Sequence, residues 1–345
     1  MKILIKIIYQ SKHLIFTMKK INLLLAIIAL TISACSSEDT PKIDLGTTPE
    51  NFPVIDGSDS TEPLRRILLC KLLGYGYKWE EYPLNMPERP DAGPRSVRID
   101  FDCTPKQEEH LDKECLLRNN THRSFINLID DKVELILTAR SISRDEKVYA
   151  DEQNVSLIEK PIAKDALTFI VNHQNPVQNL SIQQIQDIYT GKITNWKEVG
   201  GEDAKLQPYV RNRNSGSQEK FEMMVMKDLD IIDLPEMYIG QSMMSPYFMI
   251  EADRNGLCFT PFYYYSVMVG NKWARAIGVN GVAMTRKNIM NGSYPYTSDI
   301  YAAVRSDIDR SSMAYSIFEF LTSEQGQAVV EESGYIPLSQ YRPRK

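Results

Sequence analysis

The sequence predicts an α/β protein, and three junctions carry that prediction. Each joins a strand-like apolar run or a helix-period stripe to a turn rich in Ser, Thr, Asn or Gly; they lie at 52–74, 119–141 and 211–229. Apolar content of 43% and charged content of 25% describe a globular chain with a sizeable core. A length of 345 residues leaves room for two domains.

In the first junction Phe52-Pro53-Val54-Ile55 reads as a short strand, and Leu64, Ile67, Leu68 and Leu72 as the buried stripe of a helix. Pro63 suits that helix's first turn, where its missing N–H does no harm. Between them stand Gly57, Ser58, Asp59, Ser60 and Thr61. In the second, Thr121 is placed to cap a helix whose inward residues are Phe125, Leu128 and Ile129. The run Val133 to Leu137 is then a buried strand ending in Thr138-Ala139-Arg140-Ser141. In the third, "RNRNSGSQEKF" from Arg211 to Phe221, Ser215 and Gln218 stand at capping-box spacing. Phe221, Val225 and Leu229 continue as the stripe, and Gly216 lets backbone approach closely. Free N–H groups and the positive dipole end of such a first turn suit an oxyanion. Each junction alone reads as an ordinary helix cap. Their repetition, with loops at the carboxyl ends of strands, points to a shared ligand.

The amino terminus reads differently. Met18-Lys19-Lys20, the apolar run Ile21 to Ile32 and then Ser33-Ala34-Cys35 have the form of an export signal over residues 1–34, with Met18 a plausible true start. Ile32-Ser33-Ala34-Cys35 resembles the lipobox of bacterial lipoproteins, which implies acylation at Cys35 and a membrane contact through lipid only. Residues 35–50 read as a polar tether. Removing 1–34 takes away five lysines and no acid, leaving 35 basic against 45 acidic residues, net −10. That balance argues against nucleic acid or an anionic membrane as partner, so an anion site has to be local.

Four cysteines follow Cys35, and in an oxidising compartment Cys103 and Cys115 are expected to pair. Zinc is the rival reading for that pair, but no C-x-x-C occurs and only His110 lies nearby, so no metal is expected. Ser215 and Ser217 lack the G-x-S-x-G elbow, and neither G-x-x-x-x-G-K-[ST] nor G-x-G-x-x-G occurs. His122 is the one histidine placed to act as a base, and a solvated first-turn histidine is its plainer role. The sequence therefore reads as a non-enzyme without a cofactor.

Three stretches resemble the phosphate-binding protein of bacterial phosphate ABC transporters. They are "KPIAKDALTFIVNHQNPVQNLSIQQIQDIYTGKITNWKEVGG" (160–201), Arg211 with Asn214-Ser215-Gly216-Ser217, and "IDGSDSTEPL" (55–64). The resemblance spans about residues 52–340. It implies a two-lobed type II periplasmic binding protein fold, with two crossing strands as hinge and lobes that close by hinge motion. The apolar runs best placed to cross are Ala166–Val171 and Ile300–Val304; the lobes are then 51–165 with 302–345, and 166–301. It further implies a monomer that binds inorganic phosphate and delivers it to the ABC transporter permease.

Carried over by position, the ligand set is Arg211, Ser215, Gly216 and Ser217 from one lobe, and Ser58, Asp59, Ser60, Thr121, Glu134 and Thr138 from the other. Glu134 matches a position where the family often has Asp, a carboxylate that accepts the ligand's proton and so repels sulfate. The Thr138-Ala139-Arg140 stretch is less serine-rich than the family's usual loop, and two single positions also depart from the pattern. Asp59 stands where the family commonly has Thr, and Arg213 where many members have an acid; the two are expected either to pair across the closed cleft or to mark a different guest. The same fold binding another oxyanion or a phosphorylated metabolite is one alternative. A surface lipoprotein with an adhesion or assembly role is another, and a hydrolase comes third.

Overall fold

The computed structural model describes residues 42–81 and 93–342. The export signal, Cys35 and the first part of the tether lie outside the described residues. From Lys42 onward the expected tether is instead packed down. Ile43 N–H donates to Lys71 O at 2.7 Å, Thr47 is buried, and Ile43 and Leu45 lie against the main core. Apolar side chains at this spacing gain more from burial than a free polar linker would allow.

β1 (Ile55–Gly57) leads through a 3₁₀ turn at Asp59–Thr61 into α1 (Glu62–Leu73), with Pro63 in its first turn and all four stripe residues, three leucines and Ile67, fully buried. Gly74, at φ 83°, ends the helix in the left-handed conformation. β2 (Gly76–Glu81) and β3 (Arg95–Asp100) form a separate antiparallel ribbon. α2 spans Thr121–Ile129, β4 Leu135–Thr138, α3 Arg144–Glu152 and β5 Leu157–Val171. The cap of α2 is Asn120, whose side chain accepts from Arg123 N–H at 2.8 Å; Thr121, expected there, is the first helical residue.

β5 is the spine. Its first part, Leu157–Ala166, pairs antiparallel with the later β12 (Thr297–Arg305), and its second, Leu167–Val171, pairs with β10 (Gly256–Pro261). Both strands are longer than the apolar runs that marked them. The short strands β6 (Asn179–Leu180), β7 (Gln207–Pro208), β8 (Val210–Arg211) and β9 (Ile239–Gly240) fall between, with β11 (Arg275–Val279) beside β5 and β13 (Ile336–Pro337) closing the chain. The main sheet runs β1-β4-β12-β5-β10-β7, with β11 and β13 also on β5 and β6 on β11; β8 and β9 pair separately in parallel. One core gathers around α1 and another around the second part of β5, where Phe169, Phe221 and Phe259 meet. The Phe221 and Phe259 rings stack at 4.3 Å.

The third junction ends sooner than its stripe suggested. α4 (Ile182–Tyr189) precedes it, and α5 covers only Gly216–Phe221 before a wider turn at Glu222–Met226. Lys227, at φ 56°, breaks the helix, which leaves Leu229 41% exposed.

Cys103 and Cys115 are both free thiols, so the expected disulfide is corrected. Cys115 is buried and turned toward Phe52 O (3.6 Å) and His110 Nε2 (3.4 Å), whereas Cys103 lies beside the Tyr75 hydroxyl. Among the described residues no helix is long and apolar enough to cross a membrane.

Candidate functional site

Four loops at the carboxyl ends of strands, the start of α2 and the end of β10 enclose one small cavity of about 80 Å³. Ser58, Asp59 and Ser60 come from the turn after β1, Asn120 and Thr121 from the start of α2, and Ala139 from beyond β4. Arg211, Asn212, Ser215, Gly216 and Ser217 follow β8; Gln241, Ser242 and Met243 follow β9; Pro261 ends β10. Pockets for drug-sized ligands run to about 300–1,000 Å³. This one has room for an ion.

The β1 turn is built from beneath. Gly57 is required, because a Cβ there would stand 2.2 Å from Leu137 O. Arg65, fully buried on α1, donates to the carbonyls of Gly57 and Ser58 at 3.4 and 3.3 Å and to Leu117 O. Tyr335 OH donates to Ser60 O at 2.9 Å. The carbonyls are thus turned inward, and the Ser58 and Ser60 hydroxyls, 3.2 Å apart, line the cavity. Asp56 ties this strand to the next wall, accepting from Asn119 (3.0 Å) and Asn127 (2.9 Å) on either side of Thr121.

Arg211 is 6% exposed and has no carboxylate in ion-pair contact among the described residues. Its Nε donates to Gly240 O at 3.0 Å, and Gly240 has to be glycine, since a Cβ would meet Ser245 at 2.9 Å and Arg211 Cδ at 3.1 Å. Burial pulls the Arg211 pKa below its ordinary value, and the opposing influences include Asp59. A further donor, Nη1, faces only the Met243 thioether at 3.3 Å, a weak acceptor, and Ser217 Oγ faces the same sulfur at 3.9 Å.

The expected Ser215–Gln218 capping box is not formed. Ser215 makes no side-chain cap bond, and Gln218 Oε1 accepts from Arg211 N–H at 2.9 Å instead. Ser215 therefore has no capping task, and it lines the cavity. Gly216 faces Thr121 so closely that a Cβ would lie 2.4 Å from Thr121 Oγ1.

Two expected ligands fall outside. Glu134 precedes β4, at the amino end of the strand, where it is exposed and accepts from Val54 N–H at 3.0 Å. The cavity lies at the carboxyl end, so Glu134 cannot read a bound ligand. Thr138 is buried at the right end of β4, but its hydroxyl donates to Arg140 O at 2.8 Å and it does not line the cavity. Arg213 is exposed and makes no ion pair among the described residues; the cations that act on Asp59 are Arg65 and Arg211, with Arg118 a lesser one. Asp59 is open to the cleft, yet the protein mass around it raises its carboxyl's pKa against the pull of those two arginines.

Asn120, Ala139, Asn212, Gln241, Ser242, Met243 and Pro261 were missed. The segment Gly240-Gln241-Ser242 ahead of Ser245-Pro246 repeats the first junction's device, a glycine and polar residues before a proline-started helix, and could have signalled the β9 loop. A serine-histidine base pair is not built here, and among the described residues the array with the look of a hydrolase is elsewhere. His110 links Cys115 (3.4 Å) to Glu114 (2.7 Å), but burial pushes the Cys115 thiol up to about 11, the reverse of an activated nucleophile.

A family model described as a PBP superfamily domain matches residues 126–325. Protein SphX of Synechococcus elongatus is 26% identical over 231 residues, covering 64% of this chain and 67% of that protein. The phosphate-binding protein PstS of Bacillus subtilis is 28% identical over 197 residues, covering 56% of this chain and 63% of its own length. Among solved structures, a candidate phosphate ABC transporter substrate-binding protein from Clostridium perfringens, with bound phosphate, superposes with a TM-score of 0.58 at 24% identity, covering 83% of this chain and 99% of that one. An ABC-type phosphate transport receptor from Vibrio cholerae gives 0.57 at 22% identity, covering 82% and 99%. These likenesses place the chain in a two-lobed α/β fold.

Proposed function

The chain belongs to the PBP superfamily, and on that premise we propose that it captures inorganic phosphate in this cavity and delivers it to the permease of an ABC importer. The observation that carries the reading is Arg211, a buried guanidinium with no carboxylate partner among the described residues, facing a small cavity walled by hydroxyls. A buried cation without a counter-ion is costly, and an oxyanion supplies both charge and acceptors. Ser58, Ser60, Thr121, Ser215 and Ser217 offer neutral donors around it, and Gly216 brings the walls together. The relatives named for phosphate binding support the choice of ligand.

Under this reading the lobes are 51–165 with 302–345, and 166–301, joined where β5 and β12 pair. The protein works outside the cytoplasm as a monomer, held to a membrane by lipid on Cys35, and it has no catalytic role. A phosphorylated metabolite is disfavoured by the 80 Å³ cavity.

Calorimetry with phosphate, arsenate and sulfate tests the proposal. Phosphate and arsenate bind and sulfate does not. Arg211→Ala weakens phosphate by about 1.5–3 kcal/mol or more, the range for a lost charge-assisted hydrogen bond. Wild-type protein that ignores phosphate, or an Arg211→Ala variant with full affinity, refutes it.

A further inference from the structure

We propose that Arg140 and Glu219 form a latch that holds the two walls of the cleft together and sets the rate at which bound anion leaves; the second part of this inference rests on the anion-capture reading above. The walls meet where Gly216 faces Thr121. One turn further along α5, the Glu219 carboxylate pairs with the Arg140 guanidinium from the segment beyond β4.

Arg140 is a rigid arm. Its Nη1 and Nη2 donate to the two Glu146 oxygens at 2.8 and 2.7 Å, Nη1 also donates to Ser141 O at 2.8 Å, and its guanidinium lies 5.5 Å from the Phe125 ring centre. Glu146 is fully buried on α3, and His122 Nδ1 stands 3.1 Å from its Oε1. The next residue of α5, Lys220, is buried and donates to Ser298 Oγ on β12 at 2.9 Å, with Asp165 Oδ2 on β5 at 3.8 Å. α5 is therefore tied at Glu219 to the opposite wall and at Lys220 to the strands that carry both walls.

Neither Arg140 nor Glu219 lines the cavity. Both are positioning residues. Ser215–Ser217 open the same short helix, so separating Glu219 from Arg140 moves the loop that holds the ligand.

The test uses wild type, Glu219→Ala and Glu219→Gln, each checked for a cooperative unfolding transition. Stopped-flow release of inorganic phosphate is measured beside ligand-free hydrogen exchange of the Ser215–Ser217 amides. Glu219→Ala releases phosphate on the order of 10- to 100-fold faster, the usual size of a coupling between a positioning contact and a bound ligand, and its loop amides exchange faster. Glu219→Gln keeps an oxygen for Arg140 and holds release near the wild-type rate. Wild-type release and exchange in Glu219→Ala overturn the latch. Wild-type protein that binds no phosphate overturns the capture reading instead, and the exchange arm still decides whether Glu219 holds the loop.

Discussion

Removing the charge of Glu219 should stabilise the folded protein, although Glu219 sits in an ion pair. Burial is the main cause that pushes its carboxyl from the ordinary 4.5 to about 7; Arg140 opposes the rise, and Glu146 and Glu222 add to it. Arg140 is itself held above its ordinary value, because Glu146 and Glu219 together outweigh its burial. The shared cation is satisfied and the second acid is left short. An acid whose folded pKa is raised holds a proton that the unfolded chain gives up, so stability falls as pH rises from 4.5 to about 7 and stays lowered above that.

At about 1.36 kcal/mol per pH unit, the shift corresponds to about 3 kcal/mol, and we take about 2–3 because the side chain keeps 16% exposure. Glutamine cannot ionise. Urea unfolding of wild type and Glu219→Gln at a series of pH values should therefore give equal stabilities near pH 4 and a gap opening in favour of the variant, complete by pH 8. Parallel curves would refute the burial argument. A wild type that is the more stable at pH 8 would show that attraction to Arg140 outweighs the cost of burying the charge.

Three further outcomes follow from the cavity. Ser215→Ala should lose about 0.5–1.5 kcal/mol of phosphate affinity by calorimetry, with stability unchanged within about 0.5 kcal/mol because the hydroxyl makes no cap bond. Gly216→Ala should weaken phosphate at least about tenfold, since the new methyl group meets Thr121 and keeps the walls apart. Asp59→Asn should narrow the preference for phosphate over sulfate in competition calorimetry, since Asp59 is the one carboxylate among the cavity-lining residues.

Much of this was legible in the sequence. The 3.6-residue stripe of α1, with Pro63 at its start, and the turn between strand and helix are local signals, and local hydrogen bonding enforces them. Ser58, Ser60, Thr121, Arg211 and Ser215–Ser217, carried over by position from the family resemblance, line the cavity. Glu134 was misplaced because one strand has two ends. At about 3.3 Å per residue, the four residues of β4 carry a side chain at its start some 13 Å from the loops at its finish. The capping-box spacing at Ser215 and Gln218 could not show that Gln218 would turn to the Arg211 backbone, a partner on the preceding strand. The Arg140–Glu219 pair was invisible, since nothing in either local sequence names the other.

The departures from the family pattern gain a physical sense once Arg65 is considered. Asp59 adds a negative charge beside a site read as anion-binding, in a chain that is acidic overall. A lone carboxylate there would oppose any anion. Two buried arginines flank it, however, and neither has a carboxylate in salt-bridge contact among the described residues. Arg65 turns its Nη1 and Nη2 to the backbone carbonyls of Leu117, Gly57 and Ser58, while Arg211 leaves donors toward the cavity. Arg65 therefore shapes the loop and offsets Asp59, and Arg211 meets the guest. Arg213, which the sequence offered as one of two explanations for Asp59, lies exposed outside this arrangement. The compensation comes from α1 beneath the loop, where Arg65 is buried beside the apolar stripe.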